Sequence, residues 1–278
     1  MRSPSVAGHE RSGATVAADT STFAPGLRLM RGEIGTDVSR LYRVLRTLDD
    51  LVDEGDRRAP QRVEAIERWV HGHEAESPEV EVFADLARRY PLERDAVLEF
   101  CTGMHHDLAA RAIETEADLD RYCRYVGGSV GVMLTALLGS HRPEAADRMA
   151  TLGAAMQRTN ILRDIDEDFS HGHVYIARTT IERFGFPTPG AREELLRDQI
   201  GRADALYDIG LDAIGLLRNG QRAMYLSATL YREILRQIER EGFGRGTGRA
   251  VVPHWRRQLL KAKTRVLGPP PLREGVHG

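Results

Sequence analysis

Two pairs of aspartates, each with its members four residues apart, constrain the fold of this chain more than any other feature. Asp49 and Asp53 lie in LRTLDDLVDEGD, and Asp164 and Asp168 lie in QRTNILRDIDEDF. On an α-helix, residues at this spacing share one face, so each pair presents two carboxylates to the same region. Apolar residues flank both pairs, which disfavours helices that are wholly exposed to water. The pattern predicts two helices whose acidic faces turn inward.

Two inward carboxylate faces would make a site for divalent cations. Mg²⁺ prefers oxygen ligands and is usually held by one or two carboxylates together with substrate phosphates. Asn160 extends the second acidic stripe by one turn, and Arg163 and Arg46 lie close to the two pairs. Guanidinium groups bind phosphate oxygens in a bidentate manner. The alternative is a pair of ordinary solvated helix faces, which the apolar flanks disfavour, so we expect a Mg²⁺ and diphosphate site.

The composition is that of a globular protein with a sizeable core. Of 278 residues, 41% are hydrophobic and 29% are charged, and the formal net charge is −2. Basic and acidic segments are interspersed, so charge gives no case for nucleic-acid binding. Cys101 and Cys123 lie in apolar helical patterns, which predicts two buried, reduced thiols and fits a cytoplasmic setting.

Helical periodicity recurs along the chain, and strand signals are nearly absent. The expected helices cover about 35–55, 61–73, 78–89, 93–113, 116 into 122–139, 145–168, 180–184, 191–218 and 221–241. No linker divides these elements, so we expect one all-α domain at 23–265. Segments 1–22 and 266–278 are predicted to be flexible tails. The longest weakly polar stretch, 127–139, is too short to span a bilayer, which takes about 20 residues.

Several weaker signals accompany this pattern. Gly127, Gly128 and Gly131 interrupt one helix at a cost of about 1 kcal/mol each relative to alanine. Two compatible interpretations stay open, namely close packing of two helices and a bend that brings backbone to the border of a cavity. The run of His105, His106 and Asp107 we attribute to packing or solvation, since neighbouring residues on a helix point in different directions. We expect Lys261, Lys263 and the nearby arginines to form a solvated basic terminus.

Three stretches resemble one enzyme family. The segment LYRVLRTLDDLVDE is similar to the first aspartate-rich motif of the squalene and phytoene synthases, which join prenyl diphosphates head to head. YCRYVGGSVG, at 122–131, resembles a signature of the same family, and GAAMQRTNILRDIDED, at 153–168, resembles its second aspartate-rich motif. A weaker similarity lies in LYREILRQIEREGF around Tyr231. The resemblance covers about residues 20–265.

The resemblance implies a fold and three groups of site residues. The fold would be a single-domain, isoprenoid-synthase-type helical bundle with a central cavity between the acidic helices. The implied Mg²⁺ ligands are Asp49, Asp53, Asp164 and Asp168. The residues implied to bind diphosphate are Arg46, Gln157, Asn160 and Arg163. The tyrosines implied to line the reaction site are Tyr42, Tyr122 and Tyr231, of which Tyr122 is the candidate to assist proton loss.

The resemblance leaves the reaction partly open. A head-to-head synthase would condense two C15 or C20 prenyl diphosphates, and it would need NADPH only for a squalene product. A terpene cyclase that ionises a single prenyl diphosphate would use the same machinery, and a non-catalytic prenyl-binding protein is a third alternative. Such greasy substrates leave room for peripheral contact with a membrane. The oligomeric state stays open.

One stretch departs from the family pattern. After the second acidic pair the family commonly has two arginines, where this chain has His171 and His173. Histidine changes its charge near neutral pH, whereas arginine does not. The sequence therefore predicts a weaker contact with diphosphate at this point and leaves the substrate length open.

Overall fold

The structure is a computed structural model that describes residues 22–269. This part of the chain contains α-helices, no β-strand, and one isolated antiparallel bridge between Ser140 and Leu217. The α-helices are α1 (Ala24–Leu27), α2 (Gly32–Asp53), α3 (Ala59–Val70), α4 (Pro78–Arg89), α5 (Arg94–Leu108), α6 (Glu116–Cys123), α7 (Ser129–Leu138), α8 (Ala145–Ser170), α9 (Arg178–Phe184), α10 (Glu193–Gly210), α11 (Gln221–Arg240) and α12 (His254–Leu267). The all-α prediction is confirmed.

Local sequence explains where these helices begin and end. Pro60 lies in the first turn of α3, and α4 follows Ser77, whose side chain accepts a hydrogen bond from the Val80 amide at 3.1 Å. Thr115 and Asp118 form a reciprocal capping box at the start of α6. The chain reverses direction after α2 at Gly55, which adopts the left-handed backbone (φ +64°) that glycine allows at little cost.

Helix α8, which carries the second acidic pair, forms the centre of the bundle. It packs against α7, α10 and α11, and its apolar side chains join one continuous core. Arg158 on this helix is fully buried, and its guanidinium donates to Glu116 at 3.0 Å, Asp120 at 2.6 Å and Gln199 at 2.5 Å. Because these partners lie on α6 and α10, one buried cation fixes α8 against both neighbours.

Glycines allow α8 to pack closely against α7 and the turn that precedes it. Within residues 122–131, which resemble a family signature, Arg124–Gly128 form a short π-helix just before α7. A Cβ atom on Gly153 of α8 would overlap the backbone oxygen of Gly127, and one on Gly131 would overlap that of Met149. Both interpretations of these glycines hold, since the helices touch through their backbones and the same glycines border a cavity.

Several predicted helix ends were wrong. The helix predicted at 93–113 stops at Leu108, because Ala110 takes a positive φ of 45° that breaks the helical run. The helix predicted at 191–218 ends at Gly210 and continues as a 3₁₀ turn over Leu211–Leu216. The basic terminus around Lys261 and Lys263 is largely exposed, as predicted, but it lies on α12, a helix that the sequence did not predict.

Other sequence predictions concern the cysteines, the tails and the membrane. Cys101 and Cys123 are buried and unpaired, and burial raises the pKa of each thiol to about 12. Most of the predicted tails lies outside the described residues, although α12 runs to Leu267, past the predicted boundary at 265. Within residues 22–269, no helix has the length and apolar character needed to cross a membrane.

Replacing Gly153 with alanine should destabilise the protein by about 1–3 kcal/mol, because the added methyl group collides with the backbone near Gly127. Gly201 provides a matched control, since it also lies within a helix but has open space where a methyl group would be added. Gly201→Ala should stabilise by about 0.5–1 kcal/mol through helix propensity. Urea denaturation measures both, and equal effects of the two substitutions would contradict the close contact of α8.

Candidate active site

An apolar cavity of about 160 Å³ lies between α2, α5, α7, α8 and α11. Its apolar walls include Phe100, Leu134 and three methionines, whose unbranched side chains adapt readily to different ligand shapes. Predicted site residues are grouped at its border, and these are Tyr42, Arg46, Asp49, Gln157, Asn160 and Tyr231. The cavity therefore joins a hydrophobic interior to a polar end.

The first acidic face lies at that polar end. Burial, followed by the neighbouring charge of Asp53, raises the pKa of Asp49 to about 7. The charge of Arg46, which donates to Asp49 at 2.9 Å, opposes this rise. Arg46 also pairs with Asp50 at 2.6 Å. Burial also raises the pKa of Asp53, to about 6, with Asp107 as the next cause. The Asp49 side chain is 32% exposed, so its carboxylate borders the cavity on one side and water on the other.

The second acidic face meets the first across a cleft. Burial raises the pKa of Asp168 to about 8, and the charges of Asp164 and Asp53 raise it further. Because Asp53 lies on α2 and Asp168 on α8, this repulsion acts between two helices. The second pair therefore lies close enough to the first for their charges to interact, and Asp49 on α2 and Asn160 on α8 border the same cavity.

Two arginines hold Asp164 in a clamp. Arg163 donates to both of its oxygens, at 2.8 and 2.5 Å, and Arg249 lies 2.9 Å from Oδ1. The sequence predictions missed Arg249, which is far from α8 along the chain. The only sequence signal was the spacing of glycines at 242, 244, 246 and 248 just before it, a pattern typical of an irregular loop that brings backbone close to its surroundings.

A buried ion pair anchors the loop that carries Arg249. Arg192 is almost fully buried and binds both oxygens of Asp166, at 2.6 and 2.9 Å. It also donates to the backbone oxygens of Gly244 and Gly246, and Asp166 accepts from the Gly248 amide at 2.7 Å. Asp166 lies between Asp164 and Asp168 in the sequence. Helix α8 therefore carries both the aspartate that binds Arg249 and the aspartate that anchors the loop to which Arg249 belongs.

Tyr122 lies apart from the apolar cavity. Its buried hydroxyl donates to Asp107 at 3.1 Å, and its ring stacks on Tyr175 with centroids 5.2 Å apart. Tyr175 also donates to Asp107, at 3.1 Å, and His173 stacks on Tyr175 at 5.9 Å. Burial raises the pKa of Tyr122 well above its usual value. The sequence predictions missed Asp107 as a site residue, because its neighbours His105 and His106 suggested only packing.

The neighbouring histidines lie in ordinary contacts. His105 is 3.0 Å from Glu67, and the ring of His106 packs on Tyr122 with centroids 4.9 Å apart.

Of the predicted diphosphate-binding residues, Gln157 accepts a hydrogen bond from Asn160 at 3.3 Å. Tyr42 stacks on Phe23 at 5.3 Å.

The oxygen-rich cleft fits a divalent cation. Within residues 22–269, no three acidic, histidine or cysteine side chains converge closely enough to hold a metal ion by themselves. Mg²⁺ does not need such a cage, since phosphates and water commonly complete its coordination. Burial, followed by mutual repulsion, raises the pKa values of Asp49 and Asp168, and a cation would stabilise their charged forms against both effects. The buried Oδ1 of Asn160 has no hydrogen-bond partner, and it lies on the face of α8 that borders the cavity.

Comparison with known proteins agrees with this arrangement. Residues 16–256 match the protein family described as squalene/phytoene synthase. A phytoene synthase of Thermus thermophilus is 35% identical over 262 residues, which cover 88% of this chain and 88% of that protein. A 4,4'-diapophytoene synthase of Staphylococcus haemolyticus is 28% identical over 240 residues, which cover 79% of this chain and 83% of that protein.

Solved structures share the fold. The crystal structure of a dehydrosqualene synthase in complex with ligand matches with a TM-score of 0.80 at 27% identity, over 91% of this chain and 94% of that chain. A squalene synthase of Alicyclobacillus acidocaldarius, at 24% identity and a TM-score of 0.69, has the same fold. The fold and the relatives define an all-helical enzyme that transfers prenyl groups. The chain belongs to the squalene/phytoene synthase family.

Replacing Asp168 with asparagine should stabilise the ligand-free protein at alkaline pH. Its pKa is about 8 in the folded protein and about 3.9 in an unfolded chain, so its contribution to stability is complete below about pH 4 and is lost as the pH rises toward 8. Asparagine cannot ionise, and we expect the free energy of unfolding to rise by about 1–3 kcal/mol near pH 8.5. Urea denaturation at about pH 5 and about pH 8.5 measures the change.

Asp85 supplies a control with the opposite sign. Hydrogen bonds from Arg40 and then Arg89 lower the pKa of this carboxyl to about 2. Asp85→Asn should therefore reduce stability at the pH where Asp168→Asn increases it. A loss of stability for Asp168→Asn near pH 8.5 would contradict the raised pKa.

Proposed function

We propose that this chain condenses two prenyl diphosphates head to head, through a cyclopropylcarbinyl diphosphate, in a reaction that depends on Mg²⁺. The observation that carries the proposal is a cleft between two acidic helix faces at the polar end of an apolar cavity. We favour two C20 chains and a phytoene-type product, because the relative that is 35% identical is named a phytoene synthase. Such a product needs no reductant.

The cleft would bind and activate the diphosphate. Four aspartates would hold Mg²⁺, namely Asp49, Asp53, Asp164 and Asp168. Bound Mg²⁺ would supply Lewis acidity that makes diphosphate a better leaving group. Arg46, Arg163 and Arg249 contribute fixed positive charge at the same place, and guanidinium groups bind phosphate oxygens in a bidentate manner. In the ligand-free protein Arg163 and Arg249 pair with Asp164, which keeps both in position for an incoming phosphate.

The apolar cavity would protect the allylic carbocation left by the diphosphate. Its apolar walls exclude water, which would otherwise capture the cation as an alcohol. Tyr42 and Tyr231 border the cavity, and an aromatic face stabilises a cation by about 0.5–2 kcal/mol. Burial raises the pKa of Tyr231 to about 12, so its hydroxyl stays neutral at working pH. Gln157 and Asn160 lie where the apolar and polar regions meet and would orient the diphosphate end.

The proposed reaction releases two diphosphates and two protons. The first carbon–carbon bond and closure of the cyclopropane ring release one diphosphate and one proton. The second ionisation, rearrangement and alkene formation release the others. Tyr122 is our candidate to take one proton, because its hydroxyl can accept it while passing its own proton to Asp107, 3.1 Å away.

Two C15 chains are the second candidate. A 4,4'-diapophytoene synthase is 28% identical over 79% of this chain, and a dehydrosqualene synthase structure matches with a TM-score of 0.80. A squalene product would also require hydride from NADPH. Cyclisation of a single chain and binding without catalysis remain alternative outcomes of the same experiment.

Incubation with farnesyl or geranylgeranyl diphosphate, with Mg²⁺ or EDTA and with or without NADPH, distinguishes these reactions. Mass spectrometry of the extracted hydrocarbons identifies the products. We expect a C40 hydrocarbon from geranylgeranyl diphosphate, without NADPH and only with Mg²⁺. A C30 hydrocarbon made faster from farnesyl diphosphate would establish the second candidate. A product that retains only the C15 or C20 carbons of one substrate would refute head-to-head condensation, and no product under any condition would refute catalysis.

Asp164→Asn should lower turnover by at least about a hundredfold, because it removes one proposed metal ligand and frees the two arginines that it binds. Asp147→Asn, an exposed aspartate at the start of the same helix, is the control and should keep near-normal turnover. Turnover is measured at saturating substrate, and circular dichroism checks the fold. Normal turnover of the Asp164 variant would contradict the assignment of the second acidic face.

A further inference from the structure

Helix α12 exposes a stripe of large apolar side chains. Trp255, Leu259 and Val266 are 61%, 60% and 79% exposed. Residues at these spacings share one helix face, so the three side chains form a continuous strip along α12. Val251, just before the helix, is also largely exposed and extends the apolar surface toward the cleft. Contiguous exposed apolar surface of this kind commonly marks an interaction site.

The opposite face of α12 fixes the direction of this stripe. Thr264 is buried, and Arg256 forms a 3.1 Å ion pair with Glu233 on α11. On a helix with about 3.6 residues per turn, Thr264 lies nearly opposite the stripe and Arg256 lies about a quarter turn to one side of it. The apolar stripe therefore faces outward because the other side of α12 is packed on α11.

Positive charge surrounds the stripe. Helix α12 carries five basic residues and no acidic residue, although the whole chain has a net charge of −2. A groove of about 560 Å³ lies beside the helix, and every charged side chain that lines it is basic. These side chains are Arg28, Arg31, Arg222, Lys261 and Arg265. The combination would attract an anionic surface with an apolar interior.

This surface continues to the candidate active site. A second cavity, of about 320 Å³, is lined by Val251 and Val252 on one side and by Arg46, Asn160 and Arg163 on the other. The segment that enters α12 therefore lines a cavity that shares Tyr42, Arg46, Asn160 and Tyr231 with the apolar cavity of the candidate active site. A membrane bound at α12 would lie next to the entrance of this cavity.

We propose that the outward face of α12, together with the adjacent basic groove, binds the surface of an anionic phospholipid membrane. Trp, Leu and Val on one face with Lys and Arg beside them are the composition of helices that lie in the interfacial plane of a bilayer. Anionic lipid headgroups attract such basic residues, and the attraction weakens with added salt. The inference does not depend on the proposed reaction, because membrane binding is measured without substrate.

Trp255 makes the proposal directly measurable. The chain has two tryptophans, and the other, Trp69, is packed against Phe83 in the core. In a Trp69→Phe background, all tryptophan fluorescence comes from Trp255. Vesicles of phosphatidylcholine with phosphatidylglycerol should shift this emission to shorter wavelength, and lipids brominated on the acyl chain should quench it. Pure phosphatidylcholine vesicles should bind at least about tenfold more weakly, and high salt should reverse binding.

Two double variants separate the apolar and charged contributions in vesicle co-sedimentation. Leu259→Ser with Val266→Ser should weaken binding at least about tenfold. Lys261→Gln with Arg265→Gln should weaken binding to anionic vesicles by about fivefold for each charge removed. Ile209→Ser, at a residue with 54% exposure on α10, is the matched control and should bind as the unchanged chain does.

Other occupants of the surface would overturn the proposal. Sedimentation analysis tests a second copy of the chain, because a dimer that the Leu259 and Val266 substitutions dissociate would make this face a subunit interface. Emission of Trp255 that is unchanged by anionic vesicles would refute membrane insertion. Equal binding by the double variants and the Ile209 control would assign binding to another surface. Product formation from detergent-dispersed substrate, measured separately, tests the proposed reaction alone.

Discussion

Burial of closely spaced carboxylates, together with their mutual repulsion, is the constraint around which this structure is arranged. An aspartate in water ionises near pH 4, whereas Asp49, Asp53 and Asp168 have pKa values of about 7, 6 and 8. A fold that brings these groups together loses stability at neutral pH, and this loss must be offset elsewhere. A cation bound there would relieve the same repulsion, so the cost in stability and the proposed chemistry would have one physical origin.

The rest of the bundle offsets that repulsion by holding α8 rigidly. Arg158 ties the helix to α6 and α10 through three charge-assisted or polar hydrogen bonds. Gly153 and Gly127 let its backbone touch the π-helical turn, which gives close packing without intervening side chains. Farther along the helix, Asp164 and Asp166 each bind an arginine, and these contacts fix the loop that reaches back from α11. Helix α8 thus contributes to the centre of the hydrophobic core and also forms one wall of the candidate active site.

The sequence correctly predicted the local structure that depends on short-range patterns. The acidic pairs at four-residue spacing, the helix start at Pro60 and the glycines of the second motif are all short-range patterns, and each predicted its local structure. It failed where a contact joins distant segments. Arg249 reaches Asp164 across 85 residues of chain, and Asp107 meets Tyr175 across 68. No local pattern carries such information, because only the packed bundle brings these residues together.

For a similar reason, the sequence did not predict that His254–Leu267 form a helix, α12. Its basic residues predicted a solvated terminus, and Arg257, Lys263 and Arg265 are exposed, but composition alone cannot distinguish a charged tail from an amphipathic helix. The helical arrangement buries Thr264, places the apolar side chains of Trp255, Leu259 and Val266 on the outward face, and puts basic residues on both sides of that face. A head-to-head product is longer and more apolar than either substrate and has lost both diphosphates, so water is a poor acceptor for it. If α12 binds membrane as we propose, the cleft and its apolar cavity open where the substrates are concentrated and where such a product dissolves.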